Sequence, residues 1–293
     1  MMISRHFEII GYTVQYSVTT EGGATSNRDG DGLGLDATLS RMQRPLFIDA
    51  VCRPGARLGP HPVCPQQGGS GTCPRSALEA KEAKEARGED AHLPWLDPNA
   101  NNVRVFYLME LDQLVRDLTA HTTAVGMVKA VLGENFLISN FTANIARPGS
   151  LSMALHSDQS LVFSEPWRDI WALNVVWCLT DIREENGATR YIPGSNRWVY
   201  RNQVPANAPD LLVPFEGKAG DIIVMNGRVW HTSGSNVTEG EDRALLFSYY
   251  TAPFMRQRVN WAAKLPKDIQ DSLSSEMRGW LGLNPVGNIG MTG

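Results

Sequence analysis

Apolar residues recur at helical spacing between Leu108 and Leu132. Leu111, Leu114, Val115 and Leu118 are followed by Val125, Val128, Val131 and Leu132, with Gly133 where a C-cap belongs. The spacing predicts one long helix. Shorter apolar runs follow at 136–146, 152–158, 171–180, 188–192, 221–226, 229–233 and 244–251. Turn residues separate most of them, among them Arg147-Pro148-Gly149, Glu185-Asn186-Gly187, Pro193-Gly194-Ser195 and Gly234-Ser235-Asn236. Many short strands joined by such turns predict a mainly β protein with flanking helices, a jelly roll of two packed sheets.

The first third reads differently. Residues 17–75 carry Gly22-Gly23, Asp29 to Gly34 and Gly68 to Gly71 with no sustained period, which is the pattern of loop or disorder. Ser76 to Arg87 is built from strong helix formers, with Ser76 and Glu79 spaced for a capping box. Its apolar residues are mostly alanine, so a solvated helix is expected there. The chain is therefore divided into an irregular region over 1–92 and one compact domain over 93–293.

Composition narrows the function. Of 293 residues, 42% are hydrophobic and 20% charged, enough apolar material for a sizeable core. The net charge of −4, with no basic stripe, disfavours nucleic acid as the main partner. No apolar run reaches the length of a membrane helix, and the N-terminus lacks a secretory leader's features. A soluble cytoplasmic protein without a membrane partner is expected. Cys178 lies in an apolar run and reads as a buried thiol. Cys52, Cys64 and Cys73 form no Cys-x2-Cys pair, so a zinc site is disfavoured.

The candidate chemistry sits at His156-Ser157-Asp158 and at His231. On a strand, residues two apart share a face, so His156 and Asp158 could offer two ligands to one ion. Two imidazoles and one carboxylate on a single face of a metal, with positions left open, form the 2-His-1-carboxylate site of non-haem Fe(II) oxygenases. Arg243 follows on a strand-like run, where its guanidinium could grip the far carboxylate of a dicarboxylate. By itself His-x-Asp is a weak signal, because a histidine beside an apolar strand is often a hydrogen-bonded core residue.

The flanks add specificity. Leu155 to Asp158, Trp171 to Asp181, Glu185 to Ser195, Gly220 to Asn226, Trp230 to Asn236 and Arg243 resemble, in order and spacing, the phytanoyl-CoA dioxygenase family of Fe(II)/2-oxoglutarate oxygenases. The resemblance implies a double-stranded β-helix core, cupin-like in architecture, with His156, Asp158 and His231 as iron ligands. It implies that Arg243 and Thr189 hold the distal carboxylate of 2-oxoglutarate, and that O2 is the second cosubstrate. Fungal members that tailor meroterpenoids and indole alkaloids often have a glutamine three residues before the first histidine; here Met153 stands there, and Asn144 is the candidate replacement for its amide. The implied activity is hydroxylation, desaturation or a related C–H oxidation of a small organic molecule, a secondary-metabolite intermediate, with release of succinate and CO2. Asp158 argues against halogenation, since halide-transferring relatives lack that carboxylate.

Trp167, Trp171, Trp177 and Trp230 cluster around the motif. Most are expected in the core, with Trp167 or Trp171, together with Phe254, as candidates to line a pocket for a bulky apolar substrate. Arg147 and Arg190 read as solvated surface charges. A homodimer, common among the fungal members, is an open assembly. Two other readings stay open: a cupin-like metal-binding isomerase or binding module without redox work, and an inactive relative.

Overall fold

The computed structural model describes residues 97–284 and, before them, the backbone of three strands: β1 (Met2–Ile9), β2 (Tyr12–Thr19) and β3 (Val51–Cys52). The helix expected at 76–87, and Cys64 and Cys73, lie outside the described residues. Two compact units are present. One comprises Met1–Pro45 and Pro54–Ala91, and in it β1 and β2 form an antiparallel hairpin closing at Ile9 and Tyr12. The other comprises Leu46–Arg53 and His92–Gly293 and carries everything below.

Its larger sheet has six strands. Besides β3 these are β4 (Asn102–Val105), β5 (Leu137–Ala146), β6 (Ala172–Cys178), β9 (Ile222–Asn226) and β11 (Arg243–Thr251), in the order β3-β9-β6-β11-β5-β4 and antiparallel throughout. The smaller sheet joins β7 (Thr189–Tyr191), β8 (Val213–Pro214) and β10 (His231–Ser233) in the order β10-β7-β8. This is the expected jelly roll, with a cavity between the sheets.

Strand β6 is buried along its whole length and β11 nearly so. The reason is that both faces of the large sheet are covered. On one face Tyr250 is packed edge-on against Phe136, its hydroxyl donating to the Thr119 carbonyl at 3.2 Å, and Phe136 stacks on Trp280. On the other face Arg243, Leu245, Phe247 and Tyr249 alternate inward, as a strand requires. Leu245 there joins Val176, Cys178, Ile182, Ala188 and Ile223 in an apolar cluster. Burial pushes the Cys178 thiol up to about 12, consistent with an inert core position.

Three expectations need correction. The long helix is three: α1 (Leu108–Leu111), α2 (Gln113–Thr119) and α3 (Thr122–Leu132). Asp112 breaks the run by adopting an extended backbone and accepting from the Leu114 N–H at 2.7 Å, a side-chain cap that starts a new helix. His121 is extended in the same way before α3, and Gly133 does close the last helix at φ 85°. The expected strand at 152–158 reduces to one bridge, His156 to His231. Side chains take the ladder's place: Ser235 Oγ accepts from Ser152 N–H, Ser233 Oγ from Met153 N–H, and Thr232 Oγ1 donates to the Met153 carbonyl. Third, the sequence pattern missed β4, β8 and the closing helices α4 (Trp261–Lys264), α5 (Lys267–Ser272) and α6 (Ser275–Trp280). These elements are two to six residues long, too short to display a period.

Candidate metal and cosubstrate site

The bridge between His156 and His231 brings the two imidazoles together, with ring centroids 4.5 Å apart. Asp158 does not share a strand face with His156. It opens a turn instead, pinned by Ser160 Oγ donating to the Ser157 carbonyl and by Gln159 N–H donating to the Gly227 carbonyl. The turn delivers the carboxylate to the same spot: His231 Nε2 and Asp158 Oδ2 are 4.0 Å apart, and one ligand atom from each of the three residues lies within 4.8 Å of the others. An ion about 2.1 Å from each would draw neighbouring ligands to roughly 3 Å of one another, so a movement of about 1 Å closes the set.

The surroundings fit a metal. His156 Nδ1 faces the Ala154 carbonyl at 2.7 Å and His231 Nδ1 faces the Val229 carbonyl at 2.9 Å. A carbonyl can only accept, so each Nδ1 carries the proton and each Nε2 lone pair is left for a ligand role. Burial, then the neighbouring His231, brings His156 down to about 4, so its ring is neutral at physiological pH. Asn174 Nδ2 donates to Asp158 Oδ2 at 2.5 Å and fixes that carboxylate from behind.

These three residues line a cavity of about 380 Å³. At one end stand Asn144, Thr189, Ser233, Met153 and Arg104. Arg243 lies just behind this wall, 1% exposed, with Nε donating to the Gly187 carbonyl at 3.0 Å and Nη1 to Asn144 Oδ1 at 2.9 Å. Its Nη2 has no hydrogen-bond partner and the guanidinium no ion pair among the described residues. Desolvation, then the charge of Arg104, brings Arg243 down to about 10. Its way into the cavity therefore passes by Asn144, the residue the sequence reading offered as an amide donor. Arg104 was not anticipated. It sits opposite Asn144 in the β4–β5 register, pairs with Asp97 at 2.8 Å, and has Nη2 3.1 Å from Met153 Sδ. Only the four-residue strand β4 could have announced it.

The apolar candidates fall differently. Trp167 is buried in a cluster with Trp230, Ile192 and Ala208 and does not line the cavity. Trp171 is sandwiched edge-on between Phe163 and the largely exposed Phe254, also off the cavity wall. The loop between Gln159 and Pro166 does reach the cavity, but through Leu161 and Val162. Phe106, Phe247 and Val259 add to the apolar lining. Among the described residues no helix is long and apolar enough to cross a membrane.

Comparison with known proteins adds the family. Residues 38–244 match the phytanoyl-CoA dioxygenase (PhyH) family model. The dioxygenase af480 of Aspergillus fumigatus is 61% identical over 211 residues, 72% of this chain and 68% of its own length. The iron/alpha-ketoglutarate-dependent dioxygenase ausO of Aspergillus calidoustus is 30% identical over 168 residues, and there the match spans about half of each protein: 53% of this chain and 55% of ausO. Among solved structures, HygX from Streptomyces hygroscopicus with nickel and 2-oxoglutarate bound aligns at TM-score 0.48 and 17% identity, over 61% of this chain and 80% of HygX.

Proposed function

Because the chain belongs to the phytanoyl-CoA dioxygenase family, we propose that it is an Fe(II)- and 2-oxoglutarate-dependent oxygenase in which His156, Asp158 and His231 hold the iron while Arg243, Thr189 and Asn144 hold 2-oxoglutarate. One observation carries this reading: a fully buried guanidinium with an unused N–H stands behind the same cavity that the three ligand residues line. An unpaired buried charge is costly, and a dicarboxylate is what would compensate it. Together with iron and O2 the site supplies oxidative decarboxylation of 2-oxoglutarate to succinate and CO2, coupled to oxidation of a substrate C–H bond.

The chain's own residues do the positioning. The Ala154 and Val229 carbonyls hold the two imidazoles in the tautomer that presents Nε2, and Asn174 fixes Asp158. Arg243, which has no ion pair among the described residues, supplies positive charge beside the cavity, and this favours an anionic cosubstrate there. Leu161, Val162 and Phe247 give the rest of the cavity hydrocarbon surface. That apolar wall supports a small, mainly apolar organic substrate, in line with the sequence's resemblance to fungal tailoring enzymes. Asp158 would take the ligand position a halide needs, so hydroxylation, desaturation or a related oxidation is the reaction class.

The test is succinate release by the purified protein supplied with Fe(II), 2-oxoglutarate and O2. Slow, iron-dependent succinate formation is expected even without the organic substrate, and is lost in His156→Ala and Asp158→Ala. Succinate at the level of a protein-free blank, with folded and iron-loaded wild type, would overturn the proposal.

A further inference from the structure

The cavity wall also carries polar groups outside the candidate ligand set, further along β11 from Arg243. Tyr249 is six residues along β11 from Arg243 and on the same inward face, roughly 20 Å away at strand rise. It is 3% exposed, its ring lies under the Arg258 guanidinium at 4.4 Å, and it lines the cavity. Its hydroxyl is buried and has no hydrogen-bond partner among the described residues. Directly opposite on β5 is Asn140, which also lines the cavity, and whose Oδ1 is likewise buried and unpartnered. Opposite Tyr249 on its other side, on β6, is Asn174, the residue that holds Asp158. Asn140, Tyr249 and Asn174 thus form one row across three strands, with the candidate iron ligand at one end of it.

A buried polar atom left unmatched is costly, because it forfeits the hydrogen bond it had in water, and here two residues paired across neighbouring strands carry one each. Leu161, Val162 and Val259 add hydrocarbon to the same cavity lining, and Arg258 adds a guanidinium. We propose that Tyr249 and Asn140 form a subsite for a hydroxyl group on the oxidised substrate, which is therefore a mainly apolar alcohol. A hydroxyl is the group that meets both needs at once: it accepts from the Tyr249 phenol and donates to the Asn140 carbonyl oxygen. A ketone or ether would satisfy the phenol alone, and a hydrocarbon would leave both atoms unmatched. Burial, then the charge of Asp158, pushes the Tyr249 phenol up, so it stays protonated and can donate. The subsite orients the substrate: the alcohol is anchored one strand away from Asn174, so the carbon presented to the metal is fixed by its distance from that hydroxyl.

This inference rests on the oxygenase reading for its meaning, but its test does not require iron or 2-oxoglutarate. The probes are trans-2-decalol and decalin, equilibrated with the purified full chain and measured by headspace gas chromatography. Tyr249→Phe is expected to weaken decalol about tenfold, the size of one net hydrogen bond, and to leave decalin unchanged. Asn140→Ala should act in the same direction, whereas Leu161→Ala should weaken both probes alike. The subsite is refuted if both polar variants keep the wild-type ratio of decalol to decalin, or if wild type retains neither probe. The oxygenase reading fails separately, by absence of iron-dependent succinate.

Discussion

Replacing Arg243 by methionine separates a structural arginine from a ligand-binding one. Methionine keeps most of the side chain's length and removes its charge. Burial holds the guanidinium at about 10 rather than 12.5. Keeping this charge buried without an accompanying anion costs on the order of a few kcal/mol. Against that relief, Arg243→Met strips donors from the Gly187 carbonyl and Asn144 Oδ1, at about 1 to 3 kcal/mol for the pair. The two nearly cancel, so the folded variant should unfold in denaturant within about 2 kcal/mol of wild type. Its affinity for 2-oxoglutarate should collapse, because truncating one partner of a buried charge pair costs about 2 to 5 kcal/mol, or roughly 30- to 3,000-fold. Calorimetric titration of 2-oxoglutarate into the Ni(II)-loaded proteins reads the second quantity. A variant that loses more than about 4 kcal/mol of stability yet binds 2-oxoglutarate like wild type would refute the reasoning and make Arg243 a strut.

Other consequences can be checked independently. Asn174→Ala frees Asp158 Oδ2 and should weaken Co(II) binding about 10- to 100-fold with little change in far-UV circular dichroism; unaltered affinity would mean the contact is incidental. Gly187 has φ +91°, and a Cβ there would lie 3.1 Å from the Gly234 carbonyl oxygen, so Gly187→Ala should cost about 1 to 3 kcal/mol in urea unfolding. Cys178, held near 12 by burial, stays protonated at pH 8 and should resist iodoacetamide in the native chain while reacting in urea, as peptide mass mapping would record. Rapid native alkylation there would contradict the packing.

How much of this was readable in the sequence depends on element length. The strands with long apolar runs, 171–180 and 244–251, are found within a residue or two at most ends, because burial on both faces makes the run continuous. The three candidate metal ligands were legible as residues, yet not as geometry. His156 and Asp158 meet through a turn and a single bridge, held by Ser233, Ser235 and Thr232, and no alternation of polar and apolar residues encodes such side-chain bonds. Asp112 falls within the helical period of the apolar residues, but its cap divides the helix. Arg104, Tyr249 and Asn140 gave no local signal, because their significance lies in which strands stand beside one another. Trp167 follows the expectation that most tryptophans here pack in the core, since a large apolar ring is most stable where it is fully enclosed.

The most direct test of the account is anaerobic titration of the metal-free protein with Fe(II) and then 2-oxoglutarate, watched in the visible region. A keto acid chelated to iron gives a weak charge-transfer band. The account predicts that the band appears in wild type, is absent in His156→Ala, and needs far more 2-oxoglutarate in Arg243→Met. Iron binding in wild type with no band at saturating 2-oxoglutarate would contradict the claim that this cavity joins a metal to a dicarboxylate.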